Sequence, residues 1–188
     1  RRVLFRSGGP GSGPVGVTPG LVPFLPSPLV EKTAGDKYRL VDAGPRSIGK
    51  VRSFHGQFGV LARAYAYILS MGAEGLRQAS LDAVLNANYL AKRLSAAYDL
   101  SHAGPYMHEF VLSAKRQKEL GIRALDIAKR LIDYGFHPPT IYFPLIVEEA
   151  LMVEPTETES LATLDEFVGT MLRIAGEAKE QPDLLHEA

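Results

Sequence analysis

Between residues 8 and 28 the chain reads GGPGSGPVGVTPGLVPFLPSP, with prolines at positions 10, 14, 19, 23, 26 and 28. Each proline fixes φ and removes a backbone donor, so at this density no helix is expected. Val15, Val17, Leu21, Val22, Phe24 and Leu25 are interleaved with the prolines and glycines, which is too apolar for a solvated linker. The expectation is an ordered loop packed against something large, much of it outside these 188 residues. Before the loop, residues 1–7 (RRVLFRS) carry no periodicity; they resemble a translated sequencing adapter and are set apart as a non-native leader.

Composition narrows the function classes. Lys plus Arg and Asp plus Glu both number 21, so the formal net charge is zero, against the basic excess of a nucleic-acid-binding domain. The absence of cysteine excludes disulfide frameworks, thiolate metal sites and a cysteine nucleophile. No apolar run approaches the roughly 20 residues of a membrane helix, and the N-terminus lacks the order of a signal peptide.

Further along, residues 38–42 (YRLVD) predict a short strand. From Ser53 the period becomes helical, with Phe54, Phe58, Leu61, Tyr65, Ile68 and Leu69 on one face and Gly72 as a C-terminal cap. A second helix carries Val84, Ala87, Ala91, Leu94 and Tyr98. From Pro105 a small α/β unit is expected: a strand over 108–113, a helix over 124–134 stopped by Gly135, strands over 140–143 and 150–153, and a last helix. That helix is expected to open at Thr156, with Glu159 completing a capping box and Leu161, Leu164, Val168, Met171 and Ala175 as its stripe. This order predicts a small antiparallel sheet with helices on one face.

Few residues suggest chemistry by spacing. GGPGSGPVG offers backbone N–H groups to an anion, but no Gly-Lys-Ser/Thr follows to make it a P-loop. His55, His102, His108, His137 and His186 show no metal-ligand spacing, so no metal is expected. His55, in SFHGQFG, stands where a helix entrance could face a cofactor; a locally packed histidine is the plainer reading. The run 115–118 (KRQK) reads as a solvated turn, and 154–159 (EPTETE) as residues suited to a helix N-terminus.

The wording of three stretches goes further. GGPGSGPVG (8–16), VRSFHGQFG (51–59) and the span 107–160, containing MHEFVLS, LDIAKRLIDYGFHPPTIYFPLIVEEALM and EPTETES, resemble the separate-second-subunit type of the glycine dehydrogenase (decarboxylating), or P-protein, family. The resemblance runs from Gly8 to the end. It implies an α/β fold, the C-terminal part of a fold-type I, aminotransferase-like enzyme dependent on pyridoxal phosphate, with a small α+β C-terminal domain. Residues 8–50 would end the large domain, 51–104 form the connecting helices, 105–180 the small domain and 181–188 a tail.

The family's reaction is an oxidoreductase step of glycine catabolism. The cofactor acts as electron sink while glycine loses CO2, and the aminomethyl group passes to the lipoyl arm of H-protein. The implied partners are the first (alpha) subunit, lipoylated H-protein and glycine, in a heterotetramer of the bacterial or archaeal cytoplasm, with no nucleic acid or membrane. The Schiff-base lysine would lie upstream of the glycine loop, leaving this stretch inactive alone, and the protein is expected to continue past Ala188. Gly8, Gly9, Pro10, Gly11, Ser12 and Gly13 would line the active-site mouth, with His55, Glu154 and Thr156 as neighbours. Gln57 departs from the family's usual asparagine. Two other readings stand beside this one: another fold-type I enzyme, and a non-catalytic interaction module.

Overall fold

The structure, a computed structural model, describes residues 11–54 and 56–188. It divides into two compact units, Arg1–Ser70 and Met71–Ala188. The division falls inside the segment 51–104 assigned from sequence to the connecting helices.

In the first unit the proline-rich stretch is ordered but not free of helix. Pro19–Phe24 forms a 3-10 turn with proline at its first positions and Pro23 inside it. A proline at the start of a helix forfeits only a donor that would be unpaired anyway, and a single tight turn ends before an α-helical bond is needed. The turn is tied to residues 42–49: Ser47 Oγ donates to the Leu25 carbonyl at 2.6 Å, Ser27 N to the Gly49 carbonyl at 3.1 Å, and Ser27 Oγ to Asp42 at 3.2 Å.

Strand β1 (Leu29–Lys32), which the flanking prolines concealed in the sequence, pairs antiparallel with β2 (Tyr38–Val41), so that Leu29 faces Val41 and Lys32 faces Tyr38. The connecting loop turns through Gly35 and Asp36, both at positive φ.

Helix α1 (Phe58–Leu94) begins five residues later than the pattern from Ser53 suggested, with the Gln57 carbonyl accepting from Val60 and Leu61. Gly72 (φ 62°, ψ −177°) breaks it, as its position as a cap predicted; the helix then resumes at once.

The second unit holds the core. Past Gly72, α1 buries Ala83, Ala87, Leu90, Ala91 and Leu94, and Tyr98 follows fully buried with its hydroxyl donating to the Met171 carbonyl at 3.0 Å. Four antiparallel strands form one sheet in the order β3 (Asp99–Leu100), β4 (Phe110–Ser113), β6 (Ala150–Val153), β5 (Thr140–Ile141). Strand β3 went unread in the sequence, being two residues long. Strand β4 starts two residues after the expected His108, and β5 stops at Ile141 because Tyr142 takes a positive φ of 57°.

The register sets Phe110 opposite Val153, and Leu112 and Ile141 opposite Leu151. With side chains alternating across the sheet, these five share the face that joins the core with α1, α3 (Ala124–Asp133) and α4 (Leu161–Glu180). Helices on one face of a small antiparallel sheet is the arrangement expected from sequence.

Helix α2 (Lys115–Lys118) is a single turn after β4. Helix α3 is held at both ends. Buried Glu149 accepts from the Ala124 amide at 2.7 Å, setting a carboxylate against the helix's positive end. At the other end Gly135 (φ 83°) lets Phe136 N–H reach Leu131 and Gly135 N–H reach Ile132. Helix α4 opens at Leu161 rather than Thr156. Ser160 is the N-cap and its Oγ accepts from the Thr163 amide at 3.1 Å, while Thr156 Oγ1 instead bonds Thr158 Oγ1 at 2.7 Å. A short helix α5 (Asp183–His186) closes the chain, with Leu185 buried.

Candidate functional site

The residues singled out from sequence fall in both units. In the first, Gly8, Gly9, Pro10 and His55 lie outside the described residues, leaving Gly11, Ser12 and Gly13 of the loop. A Cβ placed on Gly56 would sit 3.2 Å from Ser12 Oγ and 3.4 Å from Leu61 Cδ1, so Ser12 lies close against the Gly56 backbone. Gly56 also has φ 114°, a conformation open in practice to glycine alone. Ser12 and Gly56, far apart in sequence, therefore meet. Gly11 and Gly13 are different: neither has a positive φ, and an added Cβ would meet nothing within 4 Å. Within this chain nothing requires glycine at either position.

In the second unit Glu154 and Thr156 follow the end of β6. The Asn86 side chain, on α1, donates to the Thr156 carbonyl at 2.9 Å. Asn88, two residues further along the same helix, makes a paired bond with Tyr106, donating to its carbonyl at 2.7 Å and accepting from its amide at 2.9 Å. Tyr106 leads into His108, whose Nε2 lies 3.8 Å from Glu154 Oε1, at ion-pair distance. The clamp thus fixes the turn after β6 and the segment before β4 on one helix, and puts an imidazole beside a largely buried carboxylate. A carboxylate so placed can offer an acceptor to a ligand's N–H or hydroxyl.

Sequence reasoning missed Asn86, Asn88 and His108 as parts of this arrangement. The signal was present: asparagine is disfavoured inside helices because its side chain competes for backbone groups. Two of them in the otherwise apolar LNANYL therefore ask for partners outside the helix.

Among the described residues no group of three His, Cys, Asp or Glu side chains converges as a metal site, and no helix is long and apolar enough to cross a membrane. All eight lysines (Lys32, Lys37, Lys50, Lys92, Lys115, Lys118, Lys129 and Lys179) are exposed. Lys118 pairs with Glu148 at 2.8 Å, which raises the lysine's pKa and lowers the carboxylate's. None stands in the enclosed surroundings expected of a Schiff-base lysine.

Comparison with known proteins matches these observations to one lineage. The chain is 60% identical over 181 residues to the probable glycine dehydrogenase (decarboxylating) subunit 2 of Shouchella clausii, an alignment covering 96% of this chain and 37% of that protein. The like-named proteins of Halalkalibacterium halodurans and Caldanaerobacter subterraneus are 60% and 62% identical over the same shares. The chain therefore spans little more than a third of the length of the curated relatives it matches.

Among solved structures, a glycine decarboxylase (P-protein) of the glycine cleavage system, crystallised in inhibitor-bound form, superposes with a TM-score of 0.66 at 20% identity, covering 83% of this chain and 37% of that one. That likeness carries the fold, the C-terminal part of a fold-type I architecture ending in a small α+β domain. The model of the family described as glycine dehydrogenase, C-terminal domain, matches residues 79–185, more than half of the chain. The chain belongs to the glycine dehydrogenase C-terminal domain family.

Proposed function

We propose that this chain is the C-terminal portion of the second subunit of a two-chain glycine decarboxylase, which removes CO2 from glycine and passes the aminomethyl group to the lipoyl arm of H-protein. The observation that carries the reading is the 57–62% identity, over nearly the whole chain, to proteins named as that subunit. The whole enzyme also contains a first subunit, assembles as a heterotetramer, and works in the bacterial cytoplasm.

Pyridoxal phosphate, when bound in the whole enzyme, supplies the electron sink for the loss of CO2. The residues of this chain do not hold that group by themselves. Its lysines are all exposed, and none is enclosed as a Schiff-base lysine would be. The chain's proposed contribution is to the walls of the site. The loop 8–13 and His55 would border the mouth, and Glu154 and Thr156, the latter bonded through its carbonyl to Asn86, would contribute polar groups facing substrate.

The test uses the full-length polypeptide, its partner subunit, pyridoxal phosphate and lipoylated H-protein, and follows exchange of labelled bicarbonate into the carboxyl group of glycine. Exchange that needs H-protein and does not occur with alanine is expected. Glu154→Gln and Thr156→Ala should each lower it by about tenfold, the equivalent of about 1.4 kcal/mol of transition-state stabilisation. A folded, cofactor-loaded protein that exchanges another amino acid but not glycine would overturn the proposal. Unchanged exchange in both variants would remove these residues from the site.

A further inference from the structure

The stretch 58–71 of α1 reads FGVLARAYAYILSM, with Arg63 its only charge. At 3.6 residues per turn Arg63 and Ser70, seven positions apart, share one narrow strip, and the rest of the circumference is apolar. Phe58, Leu61, Tyr65, Ile68 and Leu69 lie on one side, with Val60, Ala64 and Tyr67 on another. Every residue from 61 to 70 is exposed: Tyr65 by 66%, Ile68 by 52% and Leu69 by 65%, with Phe58 at the start 83% exposed. Arg63 satisfies itself locally, its Nε donating to the Gly59 carbonyl one turn back at 3.2 Å. Among the described residues 11–70 none is buried, whereas the same helix past Gly72 buries a conventional single face.

A helix with one apolar face needs one partner surface, but a helix apolar nearly all round is stable in water only when enclosed. A membrane is not the enclosure, because no described helix is long and apolar enough to cross one. A partner protein docking on a surface covers one side. Coverage on opposite sides requires a fold that wraps the helix, and the curated relatives have the chain for it, since the present sequence accounts for only 37% of their length.

We infer that the 58–70 stretch of α1 is an interior helix of the whole polypeptide, enclosed on opposite faces by the portion of the relatives' length that precedes this sequence. Gly72 marks the point where the chain passes from that interior to the core of the second unit. The inference concerns packing and stands whether or not the proposed activity holds.

The 188 residues contain no cysteine, so single reporters can be placed cleanly. Ala64→Cys and Ala66→Cys stand on roughly opposite faces of the helix, and Lys129→Cys, on the exposed side of α3, serves as an accessible control. In the full-length polypeptide, with cysteines outside this sequence first changed to serine, maleimide labelling is measured at a series of dilutions without the partner subunit. The expected result is labelling at both helix positions at least about tenfold slower than at Lys129→Cys and independent of dilution, because reaction must await local opening. In the 188-residue chain both should label freely.

Equal labelling at all three positions, or protection of one helix face only, would overturn the inference. Protection lost on dilution or gained only with a partner subunit would overturn the same-chain assignment. Hydrogen exchange of peptides covering 58–70 in the unsubstituted full-length protein gives the same reading without any substitution: fast exchange there would contradict enclosure.

Discussion

Gly56 is where the first unit is least tolerant. Its φ of 114° strains any other residue, and an added methyl group, 3.2 Å from Ser12 Oγ, would fit only if that side chain gave way. Gly56→Ala should therefore strain the junction by about 1–3 kcal/mol, seen as roughly tenfold faster proteolysis within residues 11–57; an unchanged rate would show the contact to be loose. In the second unit the corresponding fixed point is Glu177, which receives two bonds from the Arg130 guanidinium, at 2.9 and 3.2 Å, and one from the Tyr134 hydroxyl. Arg130 holds the Glu177 carboxyl below its ordinary 4.5. A lowered folded-state pKa means that the stabilisation is complete above about pH 4.5 and is lost as pH falls through the folded value. Glu177→Gln should cost about 1–2 kcal/mol in urea unfolding at pH 7 and progressively less below pH 4.5. A deficit that is constant with pH would refute the ionic account.

At this scale the sequence is uneven as a guide. Gly72 and Gly135 are legible because left-handed backbone selects glycine, whereas the partnership of Asn86 with Thr156 spans 70 positions and has no local signature beyond the oddity of the asparagine itself.

Among the elements, those with strong local signals are the ones sequence reasoning locates well: α3, bounded by its Schellman turn, and β6, a four-residue apolar run. The misplaced elements are those decided by competition. The run EPTETES holds several residues able to cap a helix, and only the fold selects Ser160 over Thr156. Ser160→Ala should destabilise the second unit by about 1 kcal/mol, and Thr156→Ala, whose hydroxyl bonds only Thr158, by a few tenths. Thermal or urea unfolding of the two variants decides between the two helix starts; a larger effect at Thr156 would restore the earlier one. The strands β1, β3 and β5 escaped or shrank because two to four residues between prolines and turns carry too little periodicity to separate strand from loop.

For the whole molecule, periodicity predicts a small antiparallel sheet covered on one face, and the register of Phe110, Leu112, Leu151 and Val153 realises it. The candidate residues are less legible, because the contacts that fix them within each unit, Ser12 against Gly56 and Asn86 with Thr156, join stretches far apart in sequence. What the chain does supply is eight exposed lysines and no enclosed one. The central claim, that this is the C-terminal portion of a glycine decarboxylase subunit whose Schiff-base lysine lies elsewhere in the protein, can be tested on that point. The full-length polypeptide is loaded with pyridoxal phosphate, reduced with borohydride, digested and mapped by mass spectrometry. The account predicts one stoichiometrically modified lysine, outside these 188 residues. A single lysine within them, modified in full yield, would contradict it.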